Sequence, residues 1–128
     1  MDTNSIISQI GNTPLVKLKQ PSELTGCHIY GKAEYFNPGE SVKDRAALFI
    51  VQDALKRKLI SKGGTIVEGT AGNTGIGLAI VCKEYDLKLK IVIPKTQSIE
   101  KKETLKKLGA ELIEVEAVPY ANPLNYIK

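Results

Sequence analysis

Two short stretches carry residue types that could do chemistry. The first is NPGESVKDR, Asn37 to Arg45, in which a Pro-Gly turn leads through Ser41 to Lys43. The second is GTAGNTGIG, Gly69 to Gly77. An amine in the first turn of a helix meets the positive end of the helix dipole, which disfavours the ammonium form. Arg45, two residues on, adds positive potential. An amine kept uncharged is a nucleophile toward carbonyls and a candidate Schiff-base residue. The alternative is an ordinary exposed lysine, as most lysines are.

The glycine stretch has neither the Gly-Lys-Ser/Thr ending of a phosphate-binding P-loop nor the order of glycines in a dinucleotide fingerprint. Gly72 and Gly75 still allow a tight turn, in which several N–H groups point one way. The helix that follows presents unpaired N–H groups of its own. Thr70 and Thr74 add hydroxyls, and Asn73 adds a donor and an acceptor. With no cation in the loop, a carboxylate suits it at least as well as a phosphate. A purely structural strand-to-helix connection is the competing reading.

The elements that must position these stretches follow from periodicity. Leu15–Leu18 and Ile29–Tyr35 read as strands of a hairpin with a long loop. Ser41 reads as a helix N-cap, with Asp44 completing a capping box. Val42, Ala46, Phe49, Ile50 and Ala54 supply the apolar helical spacing, ending near Arg57 or Leu59. A buried strand is expected over Thr65–Val67, and a helix from about Gly75 to Tyr85. Leu89–Ile93 reads as another buried strand, stopped by Pro94. A helix from Ser98 or Ile99 to Gly109 and an edge strand over Leu112–Val115 complete the series. From residue 41 the order is α-β-α-β-α-β, which predicts an α/β fold: a parallel sheet with flanking helices and right-handed crossovers. Ligand sites in such sheets lie at the carboxyl ends of the strands, where both stretches fall.

Composition narrows the function classes. The 128 residues are 42% hydrophobic and 25% charged, with a net charge of +4. That is a globular balance. No apolar run is long enough for a membrane helix, and the N-terminus has no secretory pattern, so a cytoplasmic location is the default. Cys27 and Cys82 fit no metal spacing and read as two buried thiols. His28, beside Cys27, would point to the opposite strand face, so no metal site is expected. Lys101, Lys102, Lys106 and Lys107 have no aromatics among them and read as a solvated helix face, not a nucleic-acid surface.

Taken together, NPGESVKDRAA and EGTAGNTGIGLA resemble the fold-type II pyridoxal-phosphate enzymes, within them the cysteine synthase/cystathionine β-synthase family. IGNTPLVKL and KIVIPKTQSIEKKETLKKLGAEL match as well. The resemblance implies that Lys43 holds pyridoxal 5'-phosphate as a Schiff base and moves the substrate α-proton. Asn73 would bond the cofactor's ring hydroxyl. Thr70, Ala71, Gly72, Asn73 and Thr74 would grip the substrate carboxylate. The implied reaction is β-replacement, making L-cysteine from O-acetyl-L-serine and sulfide; a cystathionine β-synthase type reaction and a non-catalytic relative are the alternatives.

The chain departs from the common motifs at Ala71, usually Ser, and at Glu40, usually Gly or Gln. The expectation for Glu40 is repulsion of an anionic substrate or pairing with Arg45. The resemblance also implies an N-terminal portion of the fold. Residues 1–36 would join a larger domain, 37–128 would form the smaller one, and a C-terminal cofactor domain is absent. The isolated chain is therefore expected to be catalytically impaired and to expose apolar surface. A homodimer and a serine acetyltransferase partner are implied for the full-length form.

Overall fold

The computed structural model describes residues 5–70 and 72–128. Two sheets form. In the first, β1 (Leu15–Lys17) pairs antiparallel with β2 (Tyr30–Lys32), with Val16 opposite Gly31. Helix α1 (Lys19–Thr25) fills the connection between them. The sequence predicts only a long loop here. Pro21 is tolerated because it lies in the first turn, where its missing N–H has no helical partner, and Gly26 ends the helix at φ 70°. Cys27 and His28 follow in the turn, not on a strand. Cys27 is exposed, which corrects the expectation of two buried thiols; Cys82 is buried.

The second sheet is parallel, in the order β3 (Thr65–Gly69), β4 (Lys88–Pro94), β5 (Glu111–Val115). Glu68 lies opposite Ile91, and Ile91 opposite Leu112. The helices between these strands are α3 (Asn73–Glu84) and α4 (Ile99–Lys107). Leu89, Ile91 and Ile93 alternate along β4 and are buried with Leu78 and Cys82 of α3 and Leu105 of α4. The expected parallel α/β order is therefore present. Thr65–Val67, however, is not a buried strand. β3 is an edge, and Val67 is 60% exposed, because its side chain lies on the sheet face opposite Ile66.

Helix α2 (Lys43–Lys56) packs on α3 rather than on the sheet. Its buried residues are Asp44, Ala47, Leu48 and Val51, at i, i+3, i+4 and i+7. The spacing read from the sequence picked other residues: Val42, Ala46, Phe49 and Ile50 are exposed. Close approach decides the face. A Cβ on Gly77 would stand 3.2 Å from Ala47 Cβ, so the two helices meet where both side chains are minimal. Exposed apolar side chains are extensive, among them Leu15, Tyr35, Phe36, Phe49 and Ile50. Among the described residues no helix is long and apolar enough to cross a membrane.

Candidate functional site

Lys43 is the first residue of α2, and Asn73 is the first residue of α3. The helices bring their heads together. A Cβ on Gly77, one turn into α3, would stand 3.1 Å from the Cα of Asp44, the residue after Lys43. The two stretches singled out in the sequence are thus neighbours. Ala71 lies outside the described residues.

The turn before Lys43 is built by Asn37. Its buried amide donates to the Glu34 carbonyl at 2.8 Å and to the Ser41 carbonyl at 3.0 Å, and its Oδ1 accepts from Gly11 N–H at 2.8 Å. Ser41 Oγ accepts from Lys43 N–H at 3.2 Å. The expected capping box does not form. Val42 takes the cap position in helical geometry, and the Asp44 carboxylate turns to Gly39 N–H instead of reaching back to Ser41. Glu40 adopts φ 59° in this turn.

Arg45 points to Glu34 and the Gly11–Thr13 segment. Its guanidinium forks onto Glu34, Nε to Oε2 and Nη2 to Oε1, both at 2.9 Å, and Nη2 also donates to the Gly11 carbonyl. Glu34, not Glu40, is the partner. Arg45 bonds directly to the Glu34 carboxylate, and with donors from Asn37 and Thr13 holds its pKa down at about 2. The positive charge near Lys43 is therefore largely compensated.

The glycine stretch starts at the end of β3, where Thr70 N–H donates to the Val92 carbonyl. Thr70 Oγ1 accepts from Gly72 N–H at 3.3 Å. Gly75 is buried, and a Cβ there would meet Thr70 Cγ2 at 3.0 Å, Leu105 Cδ2 at 3.2 Å and Ile91 Cδ1 at 3.4 Å. Core side chains thus form the floor of the turn. The carboxyl end of the chain crosses beside it: a Cβ on Gly69 would collide with the Tyr126 carbonyl.

The side chains of Lys43, Asn73 and Thr74 make no hydrogen bond or ion pair among the described residues, and Lys43 and Asn73 are exposed. Lys101 is a fourth such group. Its Nζ lies 3.4 Å from the position of a Cβ on Gly72. In the sequence Lys101 reads as part of a solvated face, since nothing in a local run shows that the first turn of α4 faces the loop. Lys102, its neighbour, instead ties α4 to β5 through Glu114 Oε2 at 2.6 Å. Among the described residues no cluster of metal-ligating side chains occurs.

One free amine, one free amide, free hydroxyl and backbone donors, and an adjacent ammonium suit a molecule that has both a carbonyl and acidic groups. Pyridoxal phosphate and an amino acid have these features, so the residues fit that cofactor.

Comparisons with known proteins agree. Cysteine synthase 1 of Neurospora crassa is 61% identical over 117 residues, 91% of this chain and 31% of that protein. Cysteine synthase 1 of Emericella nidulans is 58% identical over 123 residues, 96% of this chain and 33% of that protein. The chain spans about a third of the length of these relatives. A hydrogen sulfide-producing enzyme of Fusobacterium nucleatum superposes with a TM-score of 0.84 at 48% identity, over 89% of this chain and 37% of that one. The model of the pyridoxal-phosphate dependent enzymes matches residues 6–126, and the chain belongs to that family.

Proposed function

We propose that this chain supplies the lysine and the substrate-carboxylate loop of a pyridoxal-phosphate dependent β-replacing enzyme that makes L-cysteine from O-acetyl-L-serine and sulfide. The observation that carries it is the unpaired Lys43 amine at the head of α2, whose next residue, Asp44, packs on Gly77 of α3, the helix headed by the unpaired side chains of Asn73 and Thr74.

In this reading the Lys43 amine would hold the cofactor, and its Nζ would carry the substrate α-proton. Asn73 bonds the ring hydroxyl. Thr70, Ala71, Gly72, Asn73 and Thr74 bind the substrate carboxylate through neutral donors, and Lys101 adds a cation that draws the carboxylate in. Bound pyridoxal phosphate supplies an electron sink for the α-carbon. Asn37 and the Arg45–Glu34 pair hold the lysine turn against the Gly11–Thr13 segment, so the amine is presented from a fixed backbone.

The same reading carries a homodimer and a serine acetyltransferase partner for the full-length form, and a cytoplasmic location.

The test is to add pyridoxal phosphate, reduce with borohydride and map the modified lysines by mass spectrometry. Selective modification of Lys43 over Lys101, Lys106 and Lys107 is expected. Modification spread evenly over the exposed lysines would refute the reading.

A further inference from the structure

Asp44 follows Lys43 directly, yet its side chain faces the interior, with the residue 0% exposed. Oδ2 accepts from Gly39 N–H at 2.5 Å, folding the Pro38–Glu40 turn back onto the first turn of α2. Oδ1 is buried without a hydrogen-bond partner among the described residues. The carboxyl is wedged between two glycines from different elements. A Cβ on Gly39 would collide with Oδ1, and a Cβ on Gly77 would stand 3.1 Å from Oδ1. Gly39 belongs to the turn that carries Lys43, and Gly77 to the helix that carries the carboxylate loop.

A bare buried oxygen is costly to keep, and an apolar side chain of the same shape would avoid the cost. Burial raises the Asp44 carboxyl from its ordinary value, the Gly39 N–H pulls the other way, and the Glu34 carboxylate adds to the rise. An asparagine has nearly the same shape and keeps an oxygen acceptor for the Gly39 N–H.

We propose that Asp44 is a positioning residue: its carboxyl, held between Gly39 and Gly77, fixes the Lys43 turn against α3 and so sets the reach of the Lys43 amine toward the glycine loop. This rests on the reading of Lys43 as the reactive amine.

The experiment compares the wild type with Asp44→Ala, Asp44→Asn and Gly39→Ala. One readout is amide hydrogen exchange at residues 39–43, which needs no cofactor. The other is borohydride-trapped pyridoxal phosphate at Lys43 relative to Lys107. Asp44→Ala is expected to speed exchange at Gly39 at least tenfold and to lower the Lys43 to Lys107 ratio at least fivefold. Asp44→Asn is expected to hold the ratio within twofold of wild type.

A folded Asp44→Ala protein with wild-type exchange and wild-type labelling overturns the proposal, as does an Asp44→Asn protein no better than the alanine variant. If Asp44→Ala does not fold, Gly39→Ala decides, because it displaces the carboxyl from the other side. An unchanged ratio there also overturns it. If the wild type itself shows no selectivity for Lys43, the functional reading fails, and exchange at Gly39 alone still decides whether Asp44 holds the turn.

Discussion

Leu105→Ala tests whether the glycine loop stands on the core. Leu105 is 0% exposed, and its Cδ2 is 3.2 Å from where a Cβ on Gly75 would be. The truncation removes three carbon atoms, about 2.4 kcal/mol at roughly 0.8 kcal/mol for each buried methylene. A cavity term adds to this where neighbours cannot collapse. Here one neighbour is a glycine with no side chain to move in, and another, Ile91, is itself fully buried on the central strand. The expected loss is about 3–4 kcal/mol, a large part of the stability of a chain this size. Urea unfolding followed by circular dichroism is the assay. With a slope of about 2 kcal/mol per molar, the midpoint falls by about 1.5–2 M. Ile99→Ala, on the same helix but 73% exposed, is the control and stays within about 0.5 kcal/mol. Gly75→Ala is expected to cost less in the Leu105→Ala background, because one of the three atoms its Cβ would crowd is gone. A Leu105→Ala midpoint as close to wild type as that of Ile99→Ala would refute the placement of Leu105 beneath the loop.

Three other outcomes follow from single contacts. Because Arg45 depresses the Glu34 carboxyl to about 2, its ionised form stabilises the fold fully above about pH 4.5 and loses that effect as pH falls toward 2; the wild-type advantage over Glu34→Gln in urea midpoint is expected to shrink across that window, and a constant difference would contradict it. Burial raises the Cys82 thiol to about 11, while Cys27 is exposed, so a thiol reagent at neutral pH is expected to titrate one cysteine quickly, mapped to Cys27, and the second only on unfolding. Glu40 holds φ 59°, a region that costs a residue with a side chain roughly 1–2 kcal/mol; Glu40→Gly is expected to raise the thermal midpoint by a few degrees, and a lowered midpoint would show that the Glu40 side chain does more than occupy the turn.

The order of elements was legible because most signals were local. Three strand-forming runs, the stretch opening at Ser98, and Gly109 at φ 94° mark their own boundaries. The failures came where tertiary contacts choose. Residues 19–25 carry a proline and a lone leucine at Leu24, which is 88% exposed, so α1 has no apolar stripe to reveal it. Apolar residues lie all around α2, so periodicity alone cannot say which face is buried. Gly77 decides it, by admitting only a small residue such as Ala47. Likewise β3 looks like an interior strand by composition, and its edge position depends on what pairs beside it.

The site divides along the same line. The stretches around Lys43 and Asn73 are short and rich in turn formers, and their proximity comes from the packing of α2 on α3 at Gly77, since the strand before α2 belongs to the other sheet. What sets the electrostatics is not local. Arg45 lies two residues from Lys43 in sequence, but its charge is taken up by Glu34, eleven residues upstream and delivered by the turn after β2. Lys101 lies far along the chain from Gly72, yet its ammonium reaches the loop. Proximity in sequence therefore shows neither the partner of Arg45 nor the cation beside the loop. Neutralising Arg45 and importing Lys101 moves the positive potential from the lysine turn to the carboxylate loop. In the proposed reading that is where an acidic substrate needs it, and the Lys43 amine is left without an ion pair among the described residues.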